Sequence, residues 1–177
     1  MSDFQLLPDV LHHPVPHRRP RRLSGQKPPL KPKEVWAIRV RLQIQGKPRD
    51  LALFNLAVDS KLRSCDLVAL RVSDVVTGGS IKERAVIVQK KTGRPVQFEL
   101  TEQTRDSIEA WITQQSLDHG GYLFPSRVHD RPHLSTRQYA RIVNRWVSSI
   151  GLDPKKYGTH SMRRTKAALI YKKTGNL

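Results

Sequence analysis

Prolines are unevenly distributed along this chain of 177 residues, and their distribution constrains the fold more than any other feature. Seven of the twelve prolines fall within residues 1–32, where apolar residues show no sustained periodicity. Because proline lacks a backbone N–H donor and restricts φ, such a segment forms neither a helix nor a sheet. The sequence therefore predicts a disordered, basic tail over residues 1–32 and one folded domain over residues 33–177.

The charge of the chain indicates a polyanionic partner. It carries 32 Lys and Arg residues against 15 Asp and Glu, which gives a net charge of +17 at pH 7. Such an excess favours nucleic acid, with an acidic membrane surface as the alternative. No apolar run approaches the roughly 18 residues that span a bilayer, and the chain does not begin like a signal peptide. We therefore expect a cytoplasmic protein that binds nucleic acid and no membrane.

Metal and disulfide chemistry are not indicated. The single cysteine, Cys65, can form no internal disulfide and no cysteine-based zinc site, and the apolar helical run after it predicts a buried structural thiol. His119, His129 and His133 lie in one polar loop, but their spacing matches no recognised zinc pattern. We therefore expect no cofactor.

Beyond the tail, apolar residues recur mostly at helical spacing, with alternation in two short segments. Tyr139 and Trp146 are more typical of a helix core than of a base-stacking surface. The predicted fold is mostly α with a small antiparallel β-sheet. We predict helices over residues 32–46, 48–59, 64–70, 101–116, 135–150 and 159–177, and strands over residues 85–89 and 96–100.

Four basic residues stand out because of their predicted positions. Arg63 begins a helix, and Lys91 lies at the tip of the hairpin. His160 and Arg163 are three residues apart in the first turn of the last helix, which Thr159 is placed to cap, so their side chains share one face. Two arginines can hold the oxygens of one phosphate, a lysine can protonate a leaving oxygen, and a histidine can transfer a proton near neutral pH.

Taken singly, each of these residues also has an ordinary explanation. Arg63 could form an ion pair with Asp66 at the start of its helix, and Lys91 could be a solvated turn residue. His160 and Arg163 could belong to an exposed helix face. Only their combination points to phosphate chemistry.

Three motifs in order resemble the tyrosine recombinase, or phage integrase, family. Residues 62–75 (LRSCDLVALRVSDV) resemble its first box, in which an arginine at a turn leads into a leucine-bearing helix. Residues 89–93 (QKKTG) are similar to its β-hairpin lysine motif, and residues 159–165 (THSMRRT) to its His-x-x-Arg box. The resemblance covers residues 34–177 and implies the catalytic-domain fold of that family.

The resemblance also implies a partner, double-stranded DNA, and a chemistry. In such enzymes a tyrosine attacks a DNA phosphodiester, forms a 3′-phosphotyrosyl link and releases a 5′-hydroxyl, without metal or nucleotide. Arg63 and Arg163 would bind the scissile phosphate, Lys91 would act as general acid, and His160 would assist proton transfer.

The chain departs from the family pattern at its end. The family places a second His or Trp and the nucleophilic Tyr a few tens of residues beyond the His-x-x-Arg arginine, and fourteen residues follow Arg163. Tyr171 is in the wrong place for a nucleophile. We therefore expect a C-terminally incomplete catalytic domain that is inactive alone and associates with other recombinase protomers on DNA. Two alternatives remain. The chain could be a working enzyme whose tyrosine another protomer supplies, or a non-enzymatic DNA-binding or regulatory protein.

Additional DNA contacts are predicted from charge alone. They would come from the tail, from the hairpin tip and from the last helix. The residues are Arg18, Arg19, Arg21, Arg22, Lys90, Arg164 and Lys166. For the tail, a solvated linker without a specific role is an equal alternative.

Overall fold

A computed structural model of the protein describes residues 25–127 and 131–175. Four helices come first: α1 (Pro32–Ile44), α2 (Pro48–Ser60), α3 (Ser64–Val68) and α4 (Val72–Val75). Two antiparallel hairpins follow, β1 (Val76–Thr77) with β2 (Ser80–Ile81), and β3 (Arg84–Val88) with β4 (Pro95–Glu99). The helices α5 (Glu102–Gln115), α6 (Thr136–Ser149) and α7 (Thr159–Thr174) complete the described residues. The predicted fold class, mostly α with a small antiparallel sheet component, is confirmed.

The prediction of a single sheet is wrong, because the described residues form two separate two-stranded sheets. Gly78 and Gly79, which join β1 to β2, both have positive φ, 56° and 79°, as a tight hairpin turn requires. The strands on either side of them are two residues long, which is too short to produce an alternating pattern. The longer hairpin runs from the pair Arg84 and Glu99 to the pair Val88 and Pro95 at its tip.

Helix α2 lies at the centre of the core. Its residues Leu53, Phe54 and Leu56 are each 0% exposed, although they point in different directions around the helix. A helix that is apolar on several sides must be covered on each of them. Helices α1, α5 and α7 pack against α2 and provide this cover. Tyr139 and Trp146 of α6 are buried, as predicted, and their rings make an edge contact.

The boundary predicted at residue 32 falls inside the packed part of the chain. Leu30 is only 2% exposed, and its N–H donates to Thr165 Oγ1 on α7 at 3.1 Å. The ammonium of Lys27 donates to the carbonyl of Tyr157 at 2.8 Å, just before α7. A proline-rich segment can pack in extended form, so proline content alone does not locate the start of a domain. The DNA contacts predicted in the tail lie outside the described residues: Arg18, Arg19, Arg21 and Arg22.

Two further observations bear on the sequence predictions. Cys65 is half-buried rather than fully buried, because it lies in the first turn of α3 beside an open groove. Over the ranges 25–127 and 131–175, none of the helices is both long and apolar enough to cross a bilayer.

Candidate active site

Arg63 lies at the sharp turn between α2 and α3. Lys61 ends α2 in the left-handed conformation, with φ 54°, and Arg63 then adopts an extended conformation as the N-cap of α3. The Arg63 carbonyl accepts the N–H of Asp66 at 3.0 Å, which begins the helix. The predicted position of Arg63 at a helix start is therefore confirmed.

Lys91 lies in the turn that joins β3 to β4, also as predicted, and its side chain is exposed. The turn is closed by Gln89, whose N–H donates to the Arg94 carbonyl at 2.9 Å and whose carbonyl accepts the Gly93 N–H at 2.8 Å. Gly93 has φ 64°, a conformation that side chains with a Cβ rarely adopt. The glycine in this motif is thus required by the shape of the tip.

The hairpin tip is attached to α3 by two hydrogen bonds. Arg63 Nη1 donates to Gln89 Oε1 at 2.6 Å, and the backbone N–H of Lys90 donates to Asp66 Oδ1 at 2.9 Å. Asp66 is 5% exposed. The ion pair between Arg63 and Asp66 that the sequence also permitted is not formed, because each side chain binds the hairpin instead.

His160 and Arg163 lie in the first turn of α7, as predicted, with His160 exposed and Arg163 half-buried. Thr159, predicted as the cap, is instead the first helical residue, and Gly158 is the N-cap. The capping contact comes from inside the helix, since Ser161 Oγ accepts the Gly158 N–H at 3.2 Å. The N-terminal end of α7 nevertheless carries the partial positive charge that attracts an anion.

Two contacts bring the three sequence motifs together. Arg163 Nε donates to the Lys61 carbonyl at 2.9 Å, two residues before Arg63. Arg63 in turn binds Gln89, two residues before Lys91. An arginine has five N–H donors, so both guanidinium groups keep donors beyond those that these contacts use. Such an arrangement can hold the non-bridging oxygens of a phosphate and stabilise added negative charge.

Among the described residues predicted from charge to contact DNA, only Lys90 has an exposed side chain without an internal partner in the structure. Arg164 is exposed but donates to Gln26 Oε1 at 2.6 Å and to the Lys27 carbonyl at 3.2 Å, so it holds the N-terminal segment. Lys166 forms an ion pair with Asp59 at 3.7 Å, and its side chain is 19% exposed. Gln26, Lys27 and Asp59 could not be identified as partners from the spacing along α7, because each is more than a hundred residues away in sequence.

A row of exposed arginines on α6 was not predicted. Arg137, Arg141 and Arg145 follow one another at four-residue intervals, on the side of the helix opposite its buried residues. Residues at this spacing lie above one another on a helix surface. The signal was present in the sequence as a regular arginine spacing along an amphipathic helix.

A wide groove elsewhere on the described residues does not contain the candidate site. Its volume is about 1100 Å³, and it lies at the opposite end of α2, where its lining includes Arg49 and Trp146. Enclosed pockets suit small ligands, whereas the residues of the three motifs lie on an open surface. The candidate site is therefore recognised by the chemistry and hydrogen bonds of its residues and not by a concave surface.

Comparisons with known proteins identify the family and the fold. Residues 30–177 match the model of the phage integrase family. A probable integrase/recombinase from Bacillus subtilis (strain 168), YoeC, is 28% identical over 129 residues, which is 73% of this chain and 66% of that protein. The XerA recombinase has a similar fold, with a TM-score of 0.69, 19% identity and coverage of 86% of this chain and 52% of that one. DNA-bound lambda integrase, residues 75–356, has a TM-score of 0.62, 20% identity and coverage of 84% and 52%.

The chain thus spans about two thirds of the curated relative and about half of each solved structure. The family model covers most of this chain and includes all three motifs, which the tertiary structure joins by hydrogen bonds. The chain belongs to the phage integrase family.

Proposed function

We propose that this chain is a catalytic portion of a site-specific DNA recombinase and that it binds the scissile phosphate of duplex DNA. The observation that carries the proposal is the pair of contacts, Arg163 to Lys61 and Arg63 to Gln89, that joins three separate basic motifs on one surface. The net charge of +17 supports a nucleic-acid partner. The likeness to lambda integrase bound to DNA supports the same partner.

Within this proposal each residue has a role. Arg63 and Arg163 bind the non-bridging oxygens and stabilise the charge of the pentavalent transition state. As the P–O5′ bond breaks, Lys91 Nζ gives a proton to the leaving 5′-oxygen. The attacking tyrosine, which is not among the described residues, forms the new P–O bond with the phosphorus, and His160 helps to remove its proton. Rejoining is the reverse, with a 5′-hydroxyl as the attacking group, so strand breakage and rejoining pass through a phosphotyrosine.

Tyr171 receives no role in this attack. It lies eight residues beyond Arg163 on α7, which places it about 12 Å, or more than two turns, further along the helix axis than Arg163. A suicide duplex, nicked so that a cleaved strand cannot be rejoined, tests this assignment. We expect no covalent protein–DNA adduct from this chain alone on a denaturing gel. An adduct that disappears in Tyr171→Phe would contradict the assignment.

Phosphate binding is tested by fluorescence anisotropy with a labelled duplex at several salt concentrations. We expect Arg63→Ala and Arg163→Ala each to weaken binding about tenfold, since a charge-assisted hydrogen bond contributes about 1.5 kcal/mol. Each should also lower the slope of log K against log salt by about 0.9, the value for one phosphate contact. Arg105→Ala is the control, because Arg105 on α5 pairs with Glu83, which belongs to none of the three motifs. Equal binding by wild type and both site variants would refute the proposal.

A further inference from the structure

The geometry points to Gln89 as a positioning residue that couples the phosphate-binding side chain of Arg63 to the hairpin tip carrying Lys91. This inference rests on the proposed function, because it concerns how the same site is organised. It assigns a role to a neutral side chain in a site otherwise recognised by its charges.

Gln89 is unusual for its place in the chain. It is 8% exposed, whereas the five residues that follow it, 90–94, are all exposed. A buried side-chain amide requires hydrogen-bond partners, because burying an unpaired polar group costs free energy. The burial of Gln89 at an otherwise solvated tip therefore depends on the contacts that it makes.

The backbone of Gln89 shapes the tip. Its N–H donates to the Arg94 carbonyl at 2.9 Å, and its carbonyl accepts the N–H groups of Gly93 at 2.8 Å and Thr92 at 3.3 Å. These bonds enclose Lys91. Any movement of Gln89 is thus transmitted to the lysine through a closed turn.

The side chain of Gln89 joins this turn to Arg63. Its Oε1 accepts Arg63 Nη1 at 2.6 Å and Thr92 Oγ1 at 2.9 Å, which uses both lone pairs of the amide oxygen. The bond orients the guanidinium, and the neutral amide leaves its positive charge uncompensated for a phosphate. A carboxylate at this position would hold Arg63 more strongly and would compete with the phosphate for it.

This chemistry makes opposite predictions for two substitutions. Gln89→Ala removes the acceptor, so the tip loosens and Arg63 loses its orientation. Gln89→Glu keeps the acceptor and nearly the same shape, so the tip stays ordered while Arg63 is neutralised. If Gln89 were needed only for hairpin stability, Gln89→Glu would keep the tip ordered and would also bind DNA as the wild type does.

The experiment combines amide hydrogen exchange of residues 89–94, without DNA, with duplex binding by anisotropy. For Gln89→Ala we expect amide exchange at the tip about tenfold faster, which corresponds to the loss of roughly one hydrogen bond. We expect DNA binding about threefold weaker, which corresponds to the loss of part of one hydrogen bond. For Gln89→Glu we expect wild-type exchange, binding about tenfold weaker and a salt slope lower by about 0.9. Gln97→Glu, on the exposed face of β4 in the same hairpin, adds the same charge and should bind as wild type does.

Two results would overturn the inference: unchanged tip exchange in Gln89→Ala, or wild-type DNA binding by Gln89→Glu. Failure of the proposed function gives a different pattern. In that case Arg63→Ala would bind DNA as wild type does, while Gln89→Ala would still accelerate tip exchange.

Discussion

At the scale of single residues, neighbours on one helix have unrelated tasks. Arg163 donates to the carbonyl of Lys61 beside the site, and Arg164 holds the N-terminal segment through Gln26. Lys166 pairs with the buried carboxylate of Asp59. The sequence predicted a binding role for Arg164 and Lys166 from charge alone, and charge does not reveal which partner a long side chain reaches.

Burial of Tyr139 predicts a loss of stability at alkaline pH. Burial raises the pKa of the Tyr139 phenol above its ordinary value, because the ionised form is disfavoured away from water. In the unfolded chain the phenol ionises from about pH 10. Above that pH the folded state binds more protons than the unfolded state does. The contribution of Tyr139 to the free energy of unfolding is therefore complete below about pH 10 and falls as pH rises toward the folded-state pKa, by at most about 1.4 kcal/mol per pH unit.

Urea unfolding of wild type and Tyr139→Phe between about pH 9 and pH 11 measures this effect. The phenylalanine variant should lose less free energy of unfolding over that range. Tyr171→Phe serves as the control, because Tyr171 is 54% exposed and its substitution should leave the wild-type profile unchanged. Parallel pH profiles for wild type and Tyr139→Phe would contradict the prediction.

At the scale of elements, one carboxylate connects three helices. Asp59, near the end of α2, is 4% exposed, and its Oδ2 accepts the N–H of Thr101 at 3.0 Å and the hydroxyl of Thr104 at 2.6 Å. These contacts attach the start of α5 to α2. The ion pair with Lys166 attaches α7 to the same point. The lengths of these helices were predictable from apolar spacing, but the carboxylate that joins them was not.

Asp59→Ala should therefore destabilise the fold strongly. It leaves Lys166 and the polar groups of α5 without their acceptor, and breaking a buried pair in this way costs about 3 to 5 kcal/mol. Denaturant unfolding followed by tryptophan fluorescence measures the change. Asp106→Ala removes an exposed carboxylate from α5 and should change the free energy of unfolding by less than about 0.5 kcal/mol. Equal effects of the two substitutions would show that Asp59 is not a structural junction.

At the scale of the whole molecule, the folded domain begins earlier than proline content suggests. Leu30 is buried and its N–H donates to Thr165. Gln26 and Lys27 bond to residues in or just before α7, so the packed structure begins before residue 32. The family model likewise begins at residue 30. The sequence could not reveal this, because an extended segment that packs through one leucine has no periodicity.

Two truncated chains test this boundary. A chain that begins at Gly25 should have the free energy of unfolding of the full chain within about 0.5 kcal/mol, since the sequence predicts an unstructured tail before it. A chain that begins at Lys31 loses Leu30 and should be less stable by about 2 to 5 kcal/mol, the usual cost of removing a buried leucine. Leu30→Ala in the full chain should reproduce most of that loss. Equal stability of the two truncated chains would place the boundary at residue 32 after all.

The sequence by itself determined the fold class, the positions of most helices and of the longer hairpin, and the family, through three motifs with ordered basic residues. These features are local, since apolar periodicity and turn residues act over a few positions. Only the tertiary structure decided which basic residues share a surface, because Arg63 binds Gln89 and Arg163 binds the Lys61 carbonyl through hydrogen bonds between distant segments. It also separated the side chains held by internal partners, Arg164 and Lys166, from those left open to solvent, since that depends on packing and not on charge.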